Sequence, residues 1–108
     1  MDIEDMEAAV AKWASTQPLI RKAYLFGSRV RGTHRSDSDL DVAVEIFSSP
    51  GDSDPLATWI RESCHLEASI AGIVPVIIDL EWYGGEADTP VIHKALERSS
   101  LLVYWGSA

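Results

Sequence analysis

The sequence predicts a single α/β (α+β) domain over residues 1–108, built as a small mixed β-sheet with helices packed on one side. Two observations and one packing argument support this fold class. The chain has 108 residues, which is enough for one hydrophobic core. Segments with helical and strand periodicity alternate along it, and short loops containing glycine or proline separate them. Helices on one side are the simplest cover for a small mixed sheet.

Hydrophobic periodicity divides the chain into a helix, a strand, a short helical turn, a strand, a helix, a strand, a helix and a final strand. Apolar residues recur at helical spacing in the first segment, and Pro18 ends it. Gly27 ends the first strand, and a polar stretch follows the helical turn. The predicted bounds are about 2–14, 23–26, 28–32, 39–44, 55–71, 74–82, 91–98 and 101–105.

Two of the helices carry recognisable start signals. Asp54 is a candidate N-cap with Pro55 at the first helical position, and Thr89 stands in the same relation to Pro90. In the helix over 55–71, apolar residues line one side, and we expect that side, including the single cysteine of the chain, to be buried. These residues are Leu56, Trp59, Ile60 and Cys64.

Charge and composition exclude several classes of protein. The formal net charge of −8 argues against an extended nucleic-acid surface, because affinity for phosphate backbones comes largely from Lys and Arg. Five of the nine Lys and Arg residues nevertheless fall between positions 21 and 35, and such a local basic patch suits a small anion. No stretch is apolar enough for a membrane span, and the acidic N-terminus lacks the features of a secretory signal, so we expect a cytoplasmic protein.

A pair of aspartates marks the second strand. Asp39 and Asp41 are two positions apart, so in an extended strand they project from the same face. Two close carboxylates repel each other, and either a shared proton or a divalent cation relieves the repulsion. Mg²⁺ prefers oxygen ligands, uses one or two carboxylates and completes its shell with water and phosphate oxygens. The pair therefore predicts one half of a metal and triphosphate site.

The turn before this strand predicts the other half. Gly27 lets the backbone approach a phosphate closely, and Ser28 offers a hydroxyl and an N–H at the start of a helical turn. Arg29, Arg31 and Arg35 are further candidate phosphate donors. The alternative to a metal and triphosphate site is a polar turn beside a solvated acidic strand edge. Either the glycine-serine pair or the aspartate pair, taken alone, would favour this alternative. The specific signal is the combination, in which ten residues separate the glycine-serine pair from the aspartate pair.

The stretch AYLFGSRVRGTHRSDSDLDVAVE, residues 23–45, resembles the nucleotidyltransferase superfamily that includes DNA polymerase β. It looks most like the minimal nucleotidyltransferase (MNT) domains of bacteria and archaea, and the resemblance extends more loosely over most of the chain. It implies that Ser28 holds the terminal phosphates of a nucleotide and that Asp39 and Asp41 ligate Mg²⁺, with two ions expected. It also implies a third carboxylate on a later strand, as metal ligand or base, for which Asp79 is the candidate.

The reaction implied by this resemblance is in-line attack of a hydroxyl on the α-phosphorus of a nucleoside triphosphate, with pyrophosphate leaving. Many members of the resembling family are antitoxins of HEPN-domain toxins, and some transfer AMP from ATP to a tyrosine of that partner. We therefore expect a Mg-dependent nucleotidyltransferase whose acceptor is held by such a partner. The alternative is a nucleotide-binding module with weak or no catalysis that neutralises its partner by complex formation. An oligomer is compatible with both.

Overall fold

The computed structural model describes residues 1–106, so Ser107 and Ala108 of the predicted domain lie outside the described residues. The elements follow the predicted order, and the largest differences are at the starts of β1 and β3. Thr89 and Asp54 are N-caps as predicted. No helix among these residues has the length and apolar character to cross a membrane. The elements are α1 (Ile3–Ser15), β1 (Ile20–Phe26), α2 (Ser28–Arg31), β2 (Leu40–Ile46), α3 (Pro55–Ile70), β3 (Ile78–Trp82), α4 (Pro90–Arg98) and β4 (Ser100–Trp105).

The four strands form one mixed sheet in the order β3-β2-β1-β4. Strand β1 pairs antiparallel with both β2 and β4, whereas β3 runs parallel to β2. The mixed α/β fold class predicted from the sequence is thereby confirmed. Because β2 lies between β1 and β3, residues of both neighbouring strands flank its acidic side chains.

The main core lies between one face of the sheet and helices α1 and α3. Leu40, Val42 and Val44 of β2 point to this side and are fully buried, as their alternation with acidic residues predicts. Burying a side chain of this size contributes roughly 1.5–3 kcal/mol. Strand β2 is therefore anchored firmly on its core side.

Helix α4 packs on the opposite face of the sheet, which differs from the prediction that the helices share one side. Its Leu96 packs with Phe26 of β1 and Ala43 of β2 in a second, smaller cluster. Both strand residues alternate with residues of the main core, so they point away from α1 and α3. The sheet has apolar side chains on both faces, and each face requires a helix to cover them.

Helix α3 buries a different side from the predicted one, and Cys64 is exposed, so its predicted burial is wrong. Hydrogen bonds to the preceding loop turn Thr58 inward. The Thr58 hydroxyl accepts from the Ser49 N–H (2.9 Å) and donates to the Asp52 carboxylate (2.5 Å). Leu56, Ile60 and Cys64 face outward, whereas Trp59 is partly buried against the main core. The buried residues of α3 are Thr58, Leu66 and Ile70.

Candidate active site

The turn after β1 brings the backbone against the aspartate pair. Gly27 has a φ of +81°, a conformation that residues with a Cβ atom rarely adopt. A Cβ atom added at Gly27 would lie 2.1 Å from Oδ2 of Asp41, much closer than real contacts allow. Glycine is therefore the residue that lets β1 end this close to the Asp41 carboxylate.

Helix α2 is the single helical turn that the sequence predicts, and Ser28 is its first residue. The N–H of Arg31 donates to the Gly27 carbonyl (3.2 Å), and the N–H of Thr33 donates to the Ser28 carbonyl (3.0 Å). These bonds close the turn on itself. They hold Ser28 directly after the glycine that lies against Asp41.

The carboxylates of the site come from neighbouring strands. In the parallel ladder between β2 and β3, Asp41 is directly opposite Asp79, and strands paired in this way lie about 4.8 Å apart. On its other side Asp41 pairs with Phe26, the last residue of β1. Asp39 stands one residue before β2 and is close enough for its charge to act on Asp41. The structure thus brings together five of the predicted site residues, namely Gly27, Ser28, Asp39, Asp41 and Asp79.

Partial burial and neighbouring carboxylates raise the pKa of Asp41. Burial is the largest cause, and the negative charges of Asp79 and Asp39 add to it. The positive charge of Arg31 acts in the opposite direction, because a nearby cation favours the ionised carboxylate. Asp41 therefore lies in a repulsive field that a bound cation would relieve.

Glu81 adds a fourth carboxylate to this face of the sheet. It lies two residues beyond Asp79 on β3, so period-two spacing is the sequence signal that places them together. Burial is the largest cause that raises the pKa of Glu81, and the nearby negative charges of Asp79 and Asp41 add to it. Asp79 is therefore flanked by Glu81 as well as by its neighbour Asp41.

The side of the sheet that carries the carboxylates of Asp39, Asp41, Asp79 and Glu81, here named the acidic face, suits a hard cation that is bound together with phosphate. Within residues 1–106, no group of three or more His, Cys, Asp or Glu side chains forms a ready-made metal site. Mg²⁺ does not need one, because it binds through one or two carboxylates and takes water or substrate phosphate oxygens as its other ligands. The oxygen-only donors and the raised pKa of Asp41 fit such an ion, with Asp39 and Asp41 as its ligands.

The predicted phosphate-binding arginines occupy different positions. The Arg29 side chain is buried, and its guanidinium donates to the backbone carbonyls of Ser36 and Ser38. These bonds and the burial argue against the phosphate-binding role predicted for Arg29. Arg35 is exposed in the loop before β2, where a phosphate contact stays a prediction. Arg31 is the arginine whose charge acts on Asp41.

A mixed sheet with a glycine-serine turn packed against acidic residues of the adjacent strands is the architecture of a nucleotidyltransferase domain. The chain belongs to the family described as Polymerase beta, Nucleotidyltransferase, which matches residues 9–104. The superfamily predicted from the motif over residues 23–45 is thereby confirmed. No curated protein matches the chain.

Two solved structures share this fold. One is the crystal structure of a toxin-antitoxin with AMP-PNP, with a TM-score of 0.64 and 24% identity over 94% of this chain and 73% of that chain. The other is a mutant of the toxin-antitoxin MntA-HpeT, with a TM-score of 0.63 and 22% identity over the same shares of the two chains, 94% and 73%. At these identities the likeness establishes the common fold.

Proposed function

We propose that residues 1–108 form one minimal nucleotidyltransferase domain that transfers AMP from Mg-ATP to a hydroxyl of a partner protein. The proposed partner is a HEPN-type toxin, which the chain neutralises in the cytoplasm as an antitoxin. The family membership supports nucleotidyl transfer. The two structural neighbours described above are toxin-antitoxin structures, one of them with AMP-PNP, and they support a toxin as the partner and ATP as the nucleotide.

The observation that carries the proposal is the contact between Gly27 and Asp41. It sets the turn that begins with Ser28 so close to the Asp41 carboxylate that even a methyl group at Gly27 would collide with it. A triphosphate lying on that turn would meet the acidic face with its phosphate oxygens. Phosphate oxygens and carboxylates together are the ligands that Mg²⁺ prefers.

In the proposed reaction, the acceptor oxygen forms a bond to the α-phosphorus, the bond from that phosphorus to the bridging oxygen of the β-phosphate breaks, and pyrophosphate leaves. Ser28 would bind the terminal phosphates, and Asp39 and Asp41 would hold Mg²⁺. Two such ions, when bound, would neutralise the developing charge and make the acceptor hydroxyl more acidic. Asp79, opposite Asp41, would orient the acceptor hydroxyl and accept its proton.

The test is transfer itself, measured as mass. The protein is incubated with Mg²⁺ and α-labelled ATP, with and without the HEPN-domain product of the adjacent gene. The masses of both intact proteins are then measured by mass spectrometry. We expect one or more AMP units on the partner, and none with Asp39→Ala or Asp41→Ala. Asp37→Ala is the matched control, because Asp37 is an exposed aspartate of the same loop and should leave transfer unchanged.

A nucleotide-binding module that acts by contact alone is the second candidate. The observation that favours it is the crowding of Asp79 by Asp41 and Glu81, which would leave Asp79 less free to act as the base. This candidate predicts saturable Mg-ATP binding and a stable complex with the partner, but no gain in the partner's mass. Asp79→Asn would then leave neutralisation intact, whereas it would abolish neutralisation that depends on transfer.

A further inference from the structure

Arg29 is a charged side chain that the fold has buried beside the candidate site. It is the second residue of α2, and only 7% of its surface is exposed. Its Nε donates to the Ser38 carbonyl (3.0 Å), and its Nη2 donates to the carbonyls of Ser38 (2.7 Å) and Ser36 (3.2 Å). A buried guanidinium with three such bonds is a fixed part of the structure, because leaving either partner unpaired would be costly.

The two carbonyls belong to the loop that joins α2 to β2. Ser38 immediately precedes Asp39, and the Ser38 carbonyl shares a rigid peptide plane with the Asp39 N–H. A donor that fixes this carbonyl also fixes the direction in which Asp39 leaves the loop. One residue further on, the N–H of Leu40 donates to the Ile77 carbonyl (2.9 Å). From Leu40 onward, pairing of β2 with β3 fixes the backbone.

The other end of Arg29 is equally well placed. Its backbone follows Ser28 directly, within the turn that the Gly27 carbonyl closes. The side chain therefore spans from the proposed phosphate-binding residue to the peptide that carries the first metal-binding aspartate. Between these points the chain runs through an exposed polar loop, in which Arg35 and Ser38 make a turn of their own.

We propose that Arg29 is a positioning residue that holds Asp39 in a fixed place relative to Ser28. This inference rests on the proposed function, since it assigns Arg29 a part in presenting the metal and phosphate ligands of that site. Arg29 itself touches neither ligand in this arrangement. The planar guanidinium group of Arg29 can donate to both carbonyls at once. The ammonium group of a lysine, on a flexible stem, would not hold the two carbonyls in the same geometry.

The first readout is hydrogen exchange in the ligand-free protein, which requires no activity. In Arg29→Ala we expect the amide protons of Ser38 and Leu40 to exchange at least tenfold faster, while amides of the central strand β1 keep their protection. Arg35→Ala is the matched control, because it removes an exposed arginine of the same loop and should leave these rates unchanged. Unchanged exchange in Arg29→Ala would overturn the proposal.

The second readout is the affinity for Mn²⁺, titrated by its paramagnetic signal in the presence of ATP. Loss of a residue that orients a metal ligand typically weakens binding by about 10–100-fold, and we expect Arg29→Ala to fall in that range. In transfer assays kcat should decrease with little change in the KM for ATP. A direct phosphate ligand would instead raise the KM for ATP and leave amide exchange unchanged, which would refute the positioning role.

Arg29→Lys guards against a variant that fails to fold. It keeps the charge and the long stem, so the core around it should survive even if Arg29→Ala unfolds. We expect faster exchange at Ser38 and weaker Mn²⁺ binding than in the natural protein. Wild-type exchange and affinity in Arg29→Lys would contradict the proposal. Failure of the wild-type protein to transfer AMP would refute the proposed function, yet the exchange result for Arg29 would stand.

Discussion

The two faces of strand β2 are held in opposite ways. On the core face, Leu40, Val42 and Val44 are each 0% exposed and pack against α1 and α3. On the other face, Asp41 is crowded by Asp79, and its pKa is raised by burial and by neighbouring negative charge. One strand thus combines well-packed apolar side chains with carboxylates that repel each other.

This difference shows how a small domain can keep an unfavourable cluster of charges in place. Repelling carboxylates would move apart if their backbone were free to move. Here the backbone is fixed by ladders to β1 and β3 and by a buried face, so the repulsion persists as long as no cation is bound. Functional sites commonly have such locally unfavourable arrangements, and the rest of the fold supplies the stability.

The largest effect is expected on the acidic face. Asp41→Ala should lower the transfer rate by about 10³-fold, or roughly 4 kcal/mol in the activation barrier, because a metal ligand is lost. The rate of AMP incorporation, measured with the purified partner, checks this. Asp88→Ala changes an exposed aspartate outside the acidic face and should keep the natural rate. Equal rates of AMP incorporation in Asp41→Ala and the natural protein would refute the metal-binding role of Asp41.

Substitutions on the core face of β2 should lower the stability of the protein. Leu40→Ala should reduce the free energy of unfolding by about 2–5 kcal/mol, since it leaves a cavity in a fully buried position. Urea unfolding followed by fluorescence measures the change. Ile77→Ala is the control, because Ile77 is 73% exposed and its truncation should cost less than about 0.5 kcal/mol. A cost below about 1 kcal/mol for Leu40→Ala would contradict the view that this face anchors the strand.

Gly27 lies against Asp41 on the acidic face, and a smaller effect on stability is expected there. Gly27→Ala should cost about 2 kcal/mol of stability, from the positive φ and from the encounter with Asp41. Gly32→Ala is the reference for a positive φ without a collision, because Gly32 lies in the left-handed helical region (ψ of 13°, against −157° at Gly27) and an added Cβ would meet nothing within 4 Å. Thermal unfolding of both variants should show the larger loss at Gly27. Equal losses would mean that neither the Asp41 contact nor the ψ of Gly27 adds to the cost.

Local pattern predicted the parts of this fold that depend on neighbouring residues. Alternation in β2 identified both its core side and its acidic side, and the spacing of Gly27 and Asp41 indicated the candidate site. The side of α3 that is buried could not be predicted, because hydrogen bonds of Thr58 to the preceding loop decide it. The role of Arg29 also depends on tertiary structure, since the two loop carbonyls near its side chain are brought there by the fold.

The smallest expected effect is a gain in stability. Asp41→Asn removes one of the repelling charges while keeping the shape of the side chain, and relieving unfavourable charge commonly adds about 1 kcal/mol, or roughly 4 °C in Tm for a domain of this size. Thermal unfolding in metal-free buffer at neutral pH measures it. The same variant should be inactive in transfer, so stability and function would change in opposite directions at one position.

The pH dependence of this gain follows from the raised pKa of Asp41. The folded protein holds the Asp41 proton more tightly than the unfolded chain, so this group favours folding fully below its ordinary pKa of 3.8. That contribution is lost as pH rises through the raised pKa of the folded state. Asparagine does not titrate, so the Tm advantage of Asp41→Asn should be near zero at pH 3.5 and grow to its full value by pH 7. Addition of Mg²⁺ and ATP at pH 7 should reduce the difference in Tm between Asp41→Asn and the natural protein, because these ligands stabilise only the natural protein. An advantage that is independent of pH would show that the acidic face carries no net repulsion at Asp41.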